Sequence, residues 1–247
     1  MKIAVMGGRG FMGARLVGKL AASGHQVGAH GRSTGVDLLT GTGLDAALRG
    51  VDVVVNAIDA PSFDEAAKAF FRATTGTLLA GSQAAGVGHL VLLSIVGIDR
   101  VPGVAYYQAK LLQEQLLQAG SIPFSIVRAT QFMEFIDAIL SWTTEGEVVR
   151  LPATLLQPIA ADDVVDVLTD VATAAPLNGI LDVAGPEVIA LDELGRRTLQ
   201  ARPDGRRVLT DPAAGLYAVV PREAIIAAPG ARLGSTRYGD FLAARGG

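Results

Sequence analysis

The sequence predicts an α/β fold, a doubly wound parallel sheet followed by a small C-terminal α+β region. Two observations predict it: short β-branched runs recur through the first half of the chain, and helical patterns separate them. The runs lack apolar–polar alternation, which is typical of strands that helices cover on both faces of a parallel sheet. After about residue 130 this order loosens. We therefore expect a sheet domain over residues 1–150, and a cap over 151–247 that is interleaved with it and does not fold alone.

Apolar runs and helical spacing define the elements in order. The predicted strands are Ile3–Met6, Gln26–His30, Val51–Ala57, Leu90–Ile95, Phe124–Arg128 and Val148–Leu151. The predicted helices are one carrying Leu16, Val17 and Leu20, then Leu44–Leu48, Asp64–Ala85, Tyr106–Gln118, Phe132–Trp142 and Asp162–Val171. Acidic residues suit helix N-termini, so Asp64 and Glu65 open one helix and Asp162 is expected as the N-cap of another. Three more segments follow, Gly179–Val183, Leu191–Gln200 and Arg207–Leu209, before a tail rich in Pro, Gly and Ala.

Composition excludes several classes of protein. Half of the 247 residues are hydrophobic and the net charge is −3, which excludes a disordered chain and gives no basic footprint for nucleic acid. The longest uncharged stretch, Ala73–Ile98, contains five glycines and fits a buried helix and strand better than a membrane span. The sequence has no cysteine, three scattered histidines and no signal-peptide pattern at its start. We expect a cytoplasmic protein without a metal site.

A glycine motif follows the first predicted strand. Gly7, Gly10 and Gly13 form GxxGxxG and open the first helix. In such a turn, glycines allow the tight bend, the approach of a pyrophosphate to the backbone, and close packing of the helix on the sheet. The helix N-terminus then offers free N–H groups to phosphate. The motif predicts a dinucleotide site, with an ordinary glycine turn as the alternative.

The end of the second predicted strand indicates which dinucleotide binds. A site for NAD carries Asp or Glu there, to bind the ribose hydroxyls. This chain instead reads Ala29-His30-Gly31-Arg32-Ser33, and Arg9 lies within the glycine motif. Guanidinium groups bind phosphate through paired hydrogen bonds, so the sequence favours NADP(H) over NAD(H). The alternative is that both arginines are solvated surface charges.

Three side chains suggest proton transfer. Tyr106 and Lys110 stand four residues apart and so share one helix face, and Ser94 lies near the end of the preceding strand. A phenol with a pKa near 10 needs a neighbouring cation to act at neutral pH, and we expect Lys110 to lower the pKa of Tyr106. Ser94 would bind a substrate oxygen. A packed tyrosine with a surface lysine is the alternative.

With these motifs, the chain resembles the atypical short-chain dehydrogenase/reductases, in particular the NmrA-like and nucleoside-diphosphate-sugar-epimerase-like branch. GxxGxxG, LLSIVGID, YYQAK, IVRATQF and QPIAADDVVDVL carry the resemblance over about the first 170 residues. It implies a Rossmann domain with Ser94, Tyr106 and Lys110 as the catalytic set. It implies cofactor contacts at Gly7, Arg9, Gly10, Phe11, Met12, Gly13, Arg32, Asp37, Leu38, Asn56, Ala57, Lys110, Ala129 and Thr130, and substrate contacts at Val96, Tyr107, Gln131 and Phe132. Standard members carry a relay asparagine on the helix that spans 64–85 here, and this helix has none.

The expected function is an NADP(H)-dependent oxidoreductase that transfers a hydride to or from a carbonyl, quinone or enone of an apolar small molecule. A redox-sensing regulator of the NmrA-like type is one alternative, although such members commonly lack the tyrosine. A non-redox epimerase, dehydratase or cyclase on the same fold is another. The expected partner is a small-molecule substrate, with no nucleic acid and no membrane, and a homodimer is compatible with these patterns.

Overall fold

The structure is a computed structural model that describes residues 1–245. Within them the strands are β1 (Lys2–Met6), β2 (Gln26–His30), β3 (Val53–Asn56), β4 (His89–Ile95), β5 (Phe124–Ala129), β6 (Thr144–Glu145), β7 (Val148–Leu151), β8 (Leu155–Leu156), β9 (Gly179–Ala184), β10 (Ile189–Ala190), β11 (Arg207–Thr210) and β12 (Arg232–Leu233). The α-helices are α1 (Phe11–Ala22), α2 (Leu44–Leu48), α3 (Ala66–Ala84), α4 (Ala105–Gln118), α5 (Ile136–Trp142), α6 (Ala161–Thr173), α7 (Leu191–Ala201) and α8 (Tyr238–Arg245).

Seven strands form the main sheet, in the order β12-β9-β5-β4-β3-β1-β2. The pairs β1–β2, β1–β3, β3–β4 and β9–β12 are parallel. Helices α1 to α4 connect the first five strands, as βαβ crossovers require. The predicted doubly wound α/β fold is confirmed.

The chain divides into two units. The first comprises Met1–Arg128 and Val165–Leu181, and the second comprises Ala129–Val164 and the chain from Asp182 onward. The predicted boundary at residue 150 lies inside the first segment of the second unit. A fully buried cluster that includes Ala4, Val54 and Leu90 forms a core within the first unit. In the second unit, β7 lies between β6 and β11, and α7 packs against β7, β11 and α8.

Predicted and observed element bounds agree closely. β2, β7 and α2 begin and end at the predicted residues, and the other predicted elements differ by a few residues. Residues 133–135 form a 3-10 turn ahead of α5, where one continuous helix was predicted. The expected N-cap at Asp162 is wrong, because α6 begins at Ala161 and its first N–H donates to the carboxylate of Glu134 at 3.1 Å. A carboxylate from outside the helix does the capping.

The long uncharged stretch folds as a helix and a strand. Ala73–Ala84 belong to α3, and β4 follows from His89. Both elements carry buried side chains, including Leu78 and Leu90 of the same core cluster. No helix within residues 1–245 is both long enough and apolar enough to cross a membrane.

His89 is a buried titratable group at the amino end of β4. Its Nε2 atom lies 2.8 Å from the Ser125 hydroxyl, which itself accepts the Leu177 N–H at 2.9 Å. The Ser125 hydroxyl thus contacts both a ring nitrogen and a backbone N–H. Nδ1 is buried and has no hydrogen-bond partner among residues 1–245. Burial lowers the pKa of His89 below its ordinary value of 6.5.

This pKa shift makes stability depend on pH. The unfolded chain binds a proton at His89 more readily than the folded chain, so the stability is complete above pH 6.5 and is lost as pH falls through the lowered pKa. We expect the free energy of unfolding of His89→Gln to fall less between pH 7 and pH 5 than that of the wild type, as measured by urea unfolding. His25→Gln, which removes another imidazole, is the control. Equal losses in the wild type and His89→Gln would contradict this account.

Candidate functional site

The carboxyl ends of four strands lie next to one another in the first unit. Met6 of β1 is in register with His30 of β2 on one side and with Asn56 of β3 on the other, and Asn56 is in register with Leu92 of β4. The chain passes from β1 outward to β2 and then returns to the other side of β1 with β3. Ligands of open α/β sheets bind at the carboxyl edge beside such a switch point.

The turn from β1 to α1 requires glycine, because backbone atoms approach one another closely there. Gly7 has φ = +76°, which side chains disfavour, and its N–H and that of Gly8 both donate to the His30 carbonyl. A β-carbon at residue 13 would lie 2.1 Å from the Gly7 carbonyl oxygen, and one at residue 8 would lie 2.7 Å from the Ala29 Cα. Gly8 is therefore as constrained as the motif glycines. Gly8 is not part of the GxxGxxG motif and was not predicted, although the Gly7-Gly8 pair was the available signal.

The start of α1 presents backbone donors without competition. Gly10 is the N-cap, no side chain among residues 1–245 caps the helix, and its first turn has no acidic residue. Met12 is buried, and the Phe11 ring lies under the Arg15 guanidinium at 4.2 Å. Free N–H groups at a helix N-terminus, beside a turn in which β-carbons do not fit, are the features that a pyrophosphate needs. The turn fits the group that the sequence predicts there.

Two arginines follow β1 and β2. Arg9 and Arg32 are exposed, and neither guanidinium forms a hydrogen bond or ion pair within residues 1–245. Arg32 begins a 3-10 turn directly after β2. Two further predicted cofactor residues already have contacts within the protein. The Asp37 carboxylate accepts the Leu39 N–H at 2.8 Å, and Leu38 is buried in the core cluster. The arginines are available to an anion, and the Leu38 side chain is not exposed to a ligand.

The end of β3 meets the glycine turn. The Ala57 N–H donates to the Met6 carbonyl at 3.0 Å, and a β-carbon on Gly7 would lie 2.8 Å from the Ala57 carbonyl oxygen. Asn56 is buried, and its side-chain oxygen accepts the Ile58 N–H at 3.1 Å. The structure thus brings the predicted cofactor residues Gly7, Asn56 and Ala57 together.

Ser94 belongs to a buried ionic network. Its hydroxyl donates to Glu114 Oε1 at 2.5 Å, and only 2% of the residue is exposed. Arg128 donates to both oxygens of the same carboxylate, at 2.9 and 2.7 Å, and reaches Asp99 at 3.3 Å. The serine hydroxyl is therefore committed to a carboxylate within the protein. Neither Glu114 nor Arg128 was predicted, because a helix residue and a strand residue so far apart in sequence give no local signal.

Tyr106 contacts an unpredicted carboxylate. Its hydroxyl donates to Asp59 Oδ1, and Asp59 is an exposed residue three positions after β3. The ring packs between Phe63, at 4.9 Å and edge-on, and Phe71, at 6.1 Å. Burial, with the charge and hydrogen bond of Asp59, raises the pKa of Tyr106 above its usual value of 10. This differs from the expected lowering by Lys110. The signal for Asp59 was an acid just past a strand at the carboxyl edge.

Lys110 lies beneath Tyr106 on α4 and is buried. Its ammonium donates to the Leu93 carbonyl at 2.9 Å and to the Gln113 side chain at 2.6 Å, and it lies 5.0 Å from the centre of the Phe71 ring. Burial lowers the pKa of Lys110 to about 8, against the opposing charges of Asp59 and Glu114. Two of its three N–H bonds have partners within the protein.

Both units contain predicted substrate residues, and the second also contains the predicted cofactor residues Ala129 and Thr130. Val96 and Tyr107, in the first unit, are both buried. In the second unit, Ala129 and Thr130 are buried and the Thr130 hydroxyl donates to the Gln157 carbonyl at 2.6 Å. The Gln131 amide has buried nitrogen and oxygen atoms that lack hydrogen-bond partners within residues 1–245, and Phe132 packs edge-on against Phe135 at 5.6 Å. Gln131 alone among these six offers an unsatisfied polar group, and their roles stay predictions.

A known protein family matches this chain. A family described as NAD(P)H-binding matches residues 32–175, more than half of the chain. The chain belongs to this NAD(P)H-binding family. The glycine turn precedes the matched range, so its assignment depends on its geometry. No curated protein sequence matches the chain.

Solved structures show that this NAD(P)H-binding protein shares its fold with nicotinamide-binding proteins. MoeE5 in complex with UDP-glucose and NAD is 20% identical, with 98% of this chain and 96% of that chain covered and a TM-score of 0.71. A dTDP-4-dehydrorhamnose reductase from Bacillus anthracis, in complex with NADP, is 16% identical, with 99% and 92% covered and a TM-score of 0.68. A short-chain dehydrogenase/reductase superfamily protein from Agrobacterium tumefaciens, with bound NAD, is 19% identical, with 85% of each chain covered and a TM-score of 0.67. The predicted NAD(P)-binding fold is confirmed, and the NmrA-like branch stays a prediction.

The glycine turn generates a test of the cofactor site. Gly13→Ala places a β-carbon against the Gly7 carbonyl and must displace backbone, so we expect it to destabilise the protein by about 1 to 3 kcal/mol or more and to abolish cofactor binding. Gly18→Ala is the matched control: it lies in the same helix with open space around it and should stabilise the protein by up to about 1 kcal/mol. Thermal unfolding with and without NADPH measures both. Unchanged NADPH binding in Gly13→Ala would contradict the assignment.

Proposed function

We propose that the protein is an NADP(H)-dependent oxidoreductase that interconverts a carbonyl group and an alcohol, or reduces a quinone or enone, on an apolar small molecule. The observation that carries this proposal is the phenol of Tyr106 at the carboxyl edge of the sheet, bonded to an exposed carboxylate and four residues before a buried lysine. A protonated phenol at that edge is positioned to exchange a proton with a bound substrate oxygen.

The cofactor would be held by backbone and arginine. The pyrophosphate would bind the turn of Gly7, Gly10 and Gly13 at the start of α1. The unpaired guanidinium groups of Arg9 and Arg32 support a 2′-phosphate, because no acidic residue stands at the end of β2 to bind ribose hydroxyls. When bound, the nicotinamide supplies or accepts a hydride.

The surroundings of Tyr106 support an apolar substrate. The exposed Phe63 ring lies against Tyr106, and Phe71 and Ala109 belong to an apolar cluster on which Tyr106 packs. These groups shield the phenol from water on the side that the rings cover, while its oxygen keeps lone pairs for a substrate hydroxyl. A charged substrate would lose hydration against these rings, which disfavours its binding.

Cofactor choice is tested at Arg32. Arg32→Ala should weaken NADPH binding about 10- to 100-fold, the equivalent of one charge-assisted hydrogen-bond set to phosphate, and leave NADH binding unchanged. Titration calorimetry with both cofactors measures the two affinities. Arg72→Ala removes an exposed arginine from α3 and serves as the control. A wild type that binds NADH as tightly as NADPH would contradict the preference for NADP(H).

Turnover is tested at Tyr106. Tyr106→Phe should lower kcat about 100- to 10,000-fold, as expected for loss of a proton donor, with NADPH affinity unchanged. Acetophenone, 9,10-phenanthrenequinone and cyclohexenone represent the three carbonyl classes, and NADPH absorbance reports turnover. Tyr217→Phe, which removes a phenol from the second unit, is the control. Undiminished turnover in Tyr106→Phe would overturn the assignment.

A reaction without net redox change is the second candidate. The solved neighbours include a UDP-N-acetylglucosamine 4-epimerase from Bacillus cereus and a dTDP-glucose 4,6-dehydratase from Streptomyces venezuelae. This candidate predicts conversion of a nucleotide sugar without consumption of added NADPH. Product analysis by mass spectrometry and NMR after incubation with UDP-glucose separates it from the first.

A further inference from the structure

Asp59 is placed to take part in the chemistry of Tyr106. Its Oδ1 atom accepts the Tyr106 hydroxyl and also the Ala60 N–H at 2.8 Å, so the carboxylate is oriented by its own loop. The same loop carries Phe63, whose ring packs on Tyr106. The phenol is half-buried, whereas Asp59 is exposed. The phenol of Tyr106 therefore faces an apolar cluster, and the Asp59 carboxylate faces water.

The charges around Tyr106 do not favour its ionised form. Asp59 on the loop and Tyr107 on α4 both raise the pKa of Tyr106, in addition to its burial. Lys110 and Glu114 are the charged side chains of α4 beside them, and the Lys110 ammonium donates to Leu93 and Gln113. A tyrosinate is therefore not available at neutral pH, and a proton that Tyr106 accepts must be matched by one that it gives away.

We propose that Asp59 is the outer end of a proton relay in which Tyr106 accepts the proton of a substrate hydroxyl as it passes its own proton to Asp59, and Asp59 releases it to water. The inference rests on the proposed oxidoreductase function. It goes beyond that function because it gives a role to a carboxylate that no sequence motif marks. Asp59 acts through Tyr106 and is a positioning residue in that sense.

The atoms, protons and electrons of the relay balance in both directions of the reaction. In alcohol oxidation, the carbinol C–H electron pair would pass as hydride to a bound oxidised nicotinamide, and the electron pair of the substrate O–H bond would become the second C–O bond. The substrate O–H bond breaks as a bond to the Tyr106 oxygen forms, and the Tyr106 O–H bond breaks as Asp59 Oδ1 is protonated. Tyr106 ends neutral, and one proton reaches solvent through the exposed carboxyl. In carbonyl reduction, each bond change reverses.

The relay predicts a change in the pH profile of Asp59→Asn. With the carboxylate present, the wild-type kcat for oxidation of 1-phenylethanol by NADP⁺ should be nearly flat from pH 5.5 to pH 7, below the pKa of about 8 of Lys110. An amide cannot take the proton, so Tyr106 must ionise by itself and kcat of Asp59→Asn should rise about tenfold per pH unit, from a value well below that of the wild type. The control Asp64→Asn removes the same charge from the same exposed loop and should keep the flat profile.

A second measurement needs no turnover. The absorbance of tyrosinate near 295 nm, taken as the difference from Tyr106→Phe in each background, follows the ionisation of Tyr106 alone. We expect this ionisation to move to lower pH in Asp59→Asn, because the negative charge and its hydrogen bond are removed. A simple packing defect would not produce that shift together with the new pH slope.

The outcomes separate the two proposals. An unchanged Tyr106 titration in Asp59→Asn, or a flat pH profile in that variant, overturns the relay. A wild type that consumes no cofactor with any alcohol or carbonyl probe overturns the proposed function, and the relay with it, even when the titration shifts. A shifted titration together with the new slope supports both.

Discussion

The close approach of α1 to the turn after β1 is the constraint on which the rest of the first unit's site depends. Only hydrogen fits on the Cα of Gly13, since a β-carbon would lie 2.1 Å from the Gly7 carbonyl oxygen. This approach fixes Gly7, whose N–H binds the His30 carbonyl of β2 and whose Cα faces the Ala57 carbonyl after β3. Backbone contacts thereby join the ends of three strands. The positions of side chains later in the chain depend on that arrangement.

A buried ion pair sets a second constraint, on Ser94. Burial of Glu114 and Arg128 costs desolvation free energy, which is offset only when their hydrogen-bonding groups are satisfied. Arg128 binds both carboxylate oxygens, and the Ser94 hydroxyl adds a further donor at 2.5 Å. A substrate oxygen that took the Ser94 hydrogen would leave Glu114 with one donor fewer in a dry environment. The serine is thus better suited to stabilising the carboxylate than to binding substrate.

The sequence was sufficient to predict the helices, the strands and the glycine turn. It was insufficient to predict which groups the charged side chains contact. β2 and α2 follow from local periodicity, and Gly7 follows from a turn that only glycine tolerates. Contacts such as Glu114 with Arg128, or Tyr106 with Asp59, join residues 14 and 47 positions apart. They are set by how elements pack. Helical spacing placed Lys110 on the face of Tyr106 but could not give the direction of its ammonium.

The direction of the Lys110 ammonium decides which group controls the proton of Tyr106. Lys110 gives two hydrogen bonds to Leu93 and Gln113, and its burial lowers its pKa to about 8, so its charge is itself lost in mildly alkaline solution. Asp59 is exposed and keeps its hydration while it accepts the phenol hydrogen. A hydrated carboxylate exchanges protons with water at little cost, whereas a buried ammonium must lose its charge to do so. Proton exchange at this edge of the sheet therefore runs outward through the loop after β3 and not inward through α4.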